Sequence, residues 1–168
     1  MKTNLSHSEQ ITNGLRRSFR DENCKTANRV CYGYTIRPDG ELAINEREAR
    51  IVRWIFARYL NGDSFGRIAK ELEKMNVASP SGKATWNREA ISKLLSNEKH
   101  AGDSLLQKTY VPDIFTGKQK KNAGRQEKFL YRNNHEAFIS REVFGLVQRM
   151  KGWHLKNSSP NRVRSNSR

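Results

Sequence analysis

Apolar and polar positions alternate along this chain mostly at helical spacing, and the helices they predict differ in breadth. Ile11, Leu15 and Phe19 fall at i, i+4 and i+8, with Arg16, Arg17 and Arg20 around the other side, which predicts a helix from Ser8 to Arg20. Its stripe is narrow, so it needs a neighbour or a ligand to hold it. Asp21 to Asn28 has no periodic pattern and reads as a linker. Tyr32-Gly33-Tyr34-Thr35-Ile36 is an extended run, Arg37-Pro38-Asp39-Gly40 a turn, and Glu41 to Ile44 the returning leg of a small hairpin.

Asn45-Glu46-Arg47-Glu48 matches a capping box, in which the Asn45 side chain and the Glu48 carboxylate each satisfy an orphan backbone donor. The helix it opens continues through Ile51, Val52, Ile55, Phe56, Tyr59 and Leu60 and stops at Asn61-Gly62. Asp63 or Ser64 caps a second helix, with Phe65, Ile68, Ala69, Leu72 and Met75 on its apolar face, ending near Asn76. Ser79-Pro80-Ser81-Gly82 is a turn and Trp86 an apolar anchor. Asn87 caps a third helix containing Ala90, Ile91, Leu94 and Leu95. With Ile91, Leu94 and Leu95 turned inward, Glu89, Ser92, Lys93 and Ser96 face outward and Arg88 stands at the flank.

Beyond Ala101-Gly102 the spacing becomes extended. Ser104 to Val111 reads as a strand, Pro112 to Gln126 as a long polar connection, and Lys128 to Arg132 as a returning strand. Phe138, Ile139, Val143, Phe144 and Val147, with Ser140 as cap, predict a last helix. The expected class is therefore α+β, mainly helical: a helix-turn-helix or winged-helix-like core of three helices with a β-hairpin, preceded by an N-terminal linker helix. The expected organisation is a linker helix and connection over 1–29, a domain over 30–150 and a disordered basic tail over 151–168.

Charge sharpens this picture. Lysine and arginine total 32 against 17 acidic residues, a net charge of +15 that calls for a polyanionic partner. The excess is uneven. From Lys99 to Arg132 eight basic residues meet three acidic ones, and from Arg149 to Arg168 six basic residues meet none. Arg47, Arg50, Arg53, Arg58, Lys70 and Lys74 alternate with glutamates at i, i+3 and i+4 and read as a solvated, paired face. The run from Lys118 to Lys128 has no such periodicity, so Lys108, Lys118, Lys120, Lys121, Arg125 and Lys128 read as phosphate contacts.

Chemistry is harder to find. The motifs GxSxG, HExxH, GxxxxGK[ST] and GxGxxG are absent, and the histidines provide no ligand pair within a helical turn. His135 beside Glu136 reads as a solvated turn ahead of a helix. Cys24 and Cys31 lack the spacing of a zinc site and read as free thiols. No metal and no small-molecule cofactor are expected. The sequence has no run of apolar residues long enough for a membrane span or a signal peptide, so a cytoplasmic protein without a membrane partner is expected. Tyr32, Tyr34 and Tyr110 are expected in the sheets, and Trp86 in the core rather than stacked on a base.

The stretch from Tyr32 to Met150 resembles the central DNA-binding domain of the large serine recombinases. The likeness rests on an ordered set: Tyr32-Gly33-Tyr34, Asn45-Glu46-Arg47-Glu48-Ala49, Tyr59-Leu60-Asn61-Gly62 and Ile68-Ala69-Lys70-Glu71-Leu72. It continues with Trp86, Ile91, Leu94-Leu95-Ser96-Asn97, Ala101-Gly102-Asp103, Leu106-Gln107-Lys108-Thr109-Tyr110, Asn134-His135-Glu136, Phe138-Ile139 and Val143-Phe144. Ser8 to Phe19 resembles the far end of the helix that joins the catalytic domain to this module. The family's Tyr-x-Arg-x-Ser catalytic pattern and its cysteine-rich zinc ribbon have no counterpart in these residues, which implies a fragment that binds but does not recombine.

The resemblance implies recognition of an attachment-site half in double-stranded DNA. The third helix would enter the major groove and read bases with Arg88, Glu89, Ser92, Lys93 or Ser96. The hairpin would track the backbone, and Arg16, Arg17 and Arg20 would accompany the first helix across the minor groove. A full-length recombinase is a further expected partner. The competing readings are an RNA- or protein-binding fragment that antagonises such a recombinase, and a remnant of a mobile element without a role.

Overall fold

The computed structural model describes residues 7–20, 29–112 and 117–157. The expected linker from Asp21, Cys24 and the end of the tail lie outside the described residues. The chain forms two compact units, one from the chain up to Ala49 with Glu98–Phe138, the other from Arg50–Asn97 with the chain from Ile139. Both draw on the 30–150 span, because the polypeptide leaves the first unit within a helix and returns to it after Asn97.

In the first unit, α1 (His7–Ser18) precedes the hairpin of β1 (Tyr34–Ile36) and β2 (Leu42–Ile44), paired Tyr34↔Ile44 and Ile36↔Leu42. The Arg37 carbonyl accepts the Gly40 N–H at 2.9 Å and Gly40 takes φ +87°, closing the turn as the sequence predicts. Helix α2 (Glu46–Leu60) starts on half of the expected capping box. Asn45 Oδ1 accepts the Glu48 N–H at 3.4 Å, but Glu48 Oε2 accepts from Gly33 at 2.7 Å and the Gly33 carbonyl takes the Asn45 N–H at 2.9 Å. The tight loop at Gly33, φ +102°, supplies both groups from outside the helix.

A 3-10 turn (Glu98–Ala101) leads into β3 (Ser104–Leu106) and β4 (Thr109–Tyr110). These pair antiparallel with β6 (Phe129–Tyr131) and β5 (Lys120–Lys121) respectively. The single strand expected from Ser104 to Val111 is broken at Gln107, which takes φ +59°, and the expected polar connection contains the paired strand β5. Tyr34, Leu42, Ala101 and Phe138 form the buried core of this unit together with fully buried His100, whose Nε2 lies 3.2 Å from the Tyr32 carbonyl. The Tyr34 hydroxyl donates to the Glu136 carbonyl at 2.7 Å. His135 is half-buried rather than solvated: its ring meets Tyr34 edge-on at 4.9 Å and its Nε2 lies 2.7 Å from the Lys99 carbonyl.

The second unit is helical. Val52, Ile55, Phe56 and Tyr59 of α2, Ile68, Ala69 and Leu72 of α3 (Phe65–Lys74), and Ile91, Leu94 and Leu95 of α4 (Arg88–Leu95) are buried at the expected spacing. Ser64, not Asp63, caps α3. Asp63 instead receives Arg58 at 2.7 Å and Arg67 at 3.3 Å, and Arg58 also reaches Glu71 at 2.7 Å, fixing the turn between α2 and α3. Met75 is 50% exposed, because the helix has ended at Lys74 and the apolar row no longer faces the core. Helix α5 (Arg141–Asn157), capped by Ser140, runs through 151–157, part of the segment expected to be disordered. None of the described helices is long and apolar enough to cross a membrane.

Candidate nucleic-acid interface

Two surfaces carry the residues singled out from sequence, one in each unit. In the helical unit, α3 and α4 are joined by residues that fix the approach of α4. The Ser79 carbonyl accepts the Gly82 N–H at 2.8 Å, closing the turn. Trp86 is buried: its indole Nε1 donates to the Val77 carbonyl at 2.7 Å and its backbone N–H to Glu73 Oε1 at 2.8 Å. Asn87 then caps α4 by accepting the Ala90 N–H at 2.6 Å. Trp86 is thus a packed anchor whose polar edge is satisfied, as a buried indole requires.

With Ile91, Leu94 and Leu95 buried, Arg88, Glu89 and Lys93 are exposed on the opposite edge of α4. Lys93 Nζ and Glu89 Oε1 meet at 2.9 Å across one turn, and the Lys93 hydrogen bond pulls the Glu89 carboxyl below its usual range. Both are about three-quarters exposed, so the pair is exchangeable for outside partners at little cost. The Arg88 guanidinium lies against the first turn of α3 at Gly66, where an added Cβ would sit 3.0 Å from Nε. Glycine there leaves room for the planar group.

Ser92 is half-buried and Ser96 exposed, and both are bonded by the last helix. Lys151 of α5 donates to the Ser92 carbonyl at 2.8 Å and to its hydroxyl at 3.2 Å, and it also bonds Ser96 Oγ. Gln148 donates to the Leu95 carbonyl at 2.6 Å. The last turn of α4 has carbonyls without intrahelical partners, and α5 supplies the donors. Half-burial pushes the Lys151 ammonium below its usual range. The expected outward position holds for Ser96, which is exposed, while Ser92 is half-buried; both hydroxyls are engaged by Lys151, because a helical wheel registers the angle of a residue but not a second helix lying beside it.

In the other unit, β4 and β5 make a two-stranded arm whose register opposes Thr109 to Lys121 and Tyr110 to Lys120. Lys118, Lys120, Lys121, Arg125 and Lys128 are exposed. Lys108 is committed elsewhere, with its Nζ 2.6 Å from Glu98 Oε1. Glu98 Oε1 also accepts the Leu105 N–H at 3.1 Å, so the carboxylate that holds Lys108 is itself held.

The arm is organised by a residue that the sequence reading passed over. Asn122 is fully buried, its Nδ2 donating to the Gln107 carbonyl at 2.9 Å and the Gln126 carbonyl at 2.8 Å. Its Oδ1 accepts the N–H groups of Gly124 at 3.1 Å and Gln126 at 3.0 Å. The available signal was an Asn-x-Gly step inside the polar stretch, which marks a side-chain-closed turn.

Helix α1 also meets the arm's loop. Arg16 Nη2 donates to Gln126 Oε1 at 2.6 Å, Arg20 pairs with Glu127 at 3.3 Å, and Phe19 packs on Phe129 at 6.3 Å between ring centres. The Tyr131 hydroxyl donates to the Phe19 carbonyl. Of the three arginines expected at the minor groove, Arg16 is half-buried against this loop, Arg20 is paired and exposed, and Arg17 is exposed. Ile11, expected on the buried stripe, is 54% exposed. The side chain of Leu15 lies outside the described residues.

Comparison with known proteins completes the picture. The chain is similar in fold to a chain in the crystal structure of a large serine recombinase (LSR)–DNA complex, with 20% identity and a TM-score of 0.57 over 95% of this chain and 43% of that one. A second solved chain, from work on the sequence requirements of the Listeria innocua prophage attP site, matches at 23% identity and a TM-score of 0.56, over 94% of this chain and 57% of that one. The chain thus spans about half the length of these solved chains, and at such identities the likeness establishes the fold. The family model described as Recombinase matches residues 46–152, more than half of the sequence, and the chain therefore belongs to the recombinase family.

Proposed function

We propose that this chain binds double-stranded DNA and reads one half of an attachment site, with no catalysis of its own. The observation that carries the reading is the edge of α4 formed by Arg88, Glu89 and Lys93, exposed on a helix whose opposite face is buried beside α3. A guanidinium or ammonium can pair with guanine in the major groove and a carboxylate can accept from cytosine, so these three residues are a base-reading set. Lys118, Lys120, Lys121, Arg125 and Lys128 provide cations for phosphates, and Arg17 adds another from α1. Lys108, Arg16 and Arg20 contribute only by exchanging their present partners, and Ser92 and Ser96 support the reading helix through Lys151. Strand cutting and rejoining belong, in this reading, to the serine domain that the family resemblance implies.

The test is a salt titration of binding to duplexes carrying systematic half-site substitutions. A steep fall in affinity with salt and a preferred half-site are expected, since each neutralised phosphate contributes about −0.9 to the logarithmic salt slope. Binding without ionic-strength dependence would overturn the assignment. Equal or stronger competition by structured RNA, or by a full-length recombinase in the absence of DNA, would favour the interaction-module reading instead.

A further inference from the structure

The arm's ladder is interrupted asymmetrically. Between the β3–β6 and β4–β5 pairings, Gln107 and Lys108 stand on one leg against residues 122–128 on the other, two residues opposing seven. Such an excursion would ordinarily leave both legs free to slip, because register in a short exposed ribbon is weakly specified. Here a single buried side chain fills the interruption. Asn122 uses its two amide hydrogens and two carbonyl lone pairs on Gln107, Gln126 and Gly124, and its own backbone N–H donates to the Lys108 carbonyl at 2.8 Å. That is the full capacity of an asparagine.

From this geometry we infer that Asn122 is a positioning residue for backbone binding. It fixes the backbone of the ribbon that carries Lys120 and Lys121 relative to that of the excursion that carries Arg125 and Lys128, so that cations of both segments engage one nucleic-acid backbone at once. The inference rests on the DNA-binding reading and deepens it. Asn122 carries no charge and is fully buried, so it neutralises no phosphate itself. Its effect comes from holding the two backbone segments that carry these cations, which removes part of the ordering cost otherwise met on binding.

The experiment compares the full chain with Asn122→Ala and Asn122→Asp, which leave every basic residue in place. Asn122→Asp keeps the two accepted N–H bonds but sets a carboxylate against the carbonyls of Gln107 and Gln126. Salt titrations on a duplex are expected to show a slope flattened by about one to two for either variant, each lost phosphate contact contributing about 0.9. Replacing Lys120 and Lys121 by alanine should then weaken binding less in the Asn122→Ala background than in the parent. Base preference through α4 should persist in both variants. Full salt slope and additive effects would overturn the inference, because a residue needed only for stability lowers the melting temperature without decoupling these cations. Hydrogen exchange on the unaltered protein gives a second check: fast exchange at the Gly124 and Gln126 amides alongside tight binding would also overturn it. Failure of the parent chain to bind duplex DNA would instead remove the underlying reading.

Discussion

The ammonium of Lys151 lies 2.8 Å from the carbonyl of Ser92 and 5.8 Å from the centre of the Phe65 ring, so α5 supplies a cation where α4 ends. Carbonyls at a helix C-terminus carry the negative end of the macrodipole, and a cation there is stabilising. Lys151→Met keeps the stem and removes the donor. It is expected to lower stability by about 1 kcal/mol, measured by urea denaturation, with Gln148 still holding the Leu95 carbonyl. No change in the denaturation midpoint would mean that Lys151 is an incidental contact.

Arg88 and Gly66 yield a prediction in which stability and specificity part company. Gly66→Ala should leave the melting temperature equal or higher, since alanine is the better helix former, while pushing the Arg88 guanidinium from its resting place. Arg88→Ala should cost about 1–3 kcal/mol of discrimination at one base pair, and Gly66→Ala a fraction of that. A base-substitution series in a binding assay reads both. Identical profiles for the parent and Arg88→Ala would exclude Arg88 from base reading.

Lys93 and the arm lysines should fail in different ways. Lys93→Ala is expected to relax sequence preference by about 1–3 kcal/mol, while Lys120→Ala with Lys121→Ala should weaken every sequence alike and flatten the salt slope by nearly two. Unchanged affinity of Lys93→Ala for every half-site variant would remove α4 as the reading helix.

Gly33 has no room for a side chain. An added Cβ would lie 2.6 Å from the Phe138 ring, at a φ of +102° that L residues rarely adopt. Gly33→Ala should therefore destabilise the protein by about 2–4 kcal/mol, combining backbone strain with a displaced core ring. A thermal melt within a degree or two of the parent would contradict this.

His135 sets a pH dependence. Burial pushes its pKa below the usual histidine range, outweighing the hydrogen bond to the Lys99 carbonyl, with Lys99 also disfavouring the charge and Asp103 and Glu98 favouring it. The unfolded chain then takes up a proton more readily than the folded one. Stability is full above about pH 6.5 and falls as the pH drops from there toward the lowered folded value. His135→Gln should remove this component from a series of melts between pH 7.5 and 5, and an unchanged pH profile would refute the assignment.

Helix positions and caps were legible because they are local. The buried rows of α2, α3 and α4 and the caps at Ser64 and Asn87 follow from spacing and side-chain chemistry within a few residues. The pairing of β3 with β6 was also within reach, since two extended runs flanked a polar stretch. The turn closed by Asn122 was signalled by its Asn-x-Gly step, but its hold on Gln107 was not, because only a folded arm brings that carbonyl to it.

The sequence by itself determined a mainly helical α+β chain with a net charge of +15, a capped α4 with Arg88, Glu89, Ser92, Lys93 and Ser96 on its polar side, and an ordered set of motifs belonging to recombinases. Tertiary structure alone decided which polar groups on these elements remain available. It engages Ser92 and Ser96 with Lys151, Lys108 with Glu98, and Arg16 with Gln126, while leaving Arg88, Lys120 and Lys121 exposed. Periodicity fixes the direction of a side chain on its own element. Only the packing of distant segments supplies the carbonyls and carboxylates that compete for it.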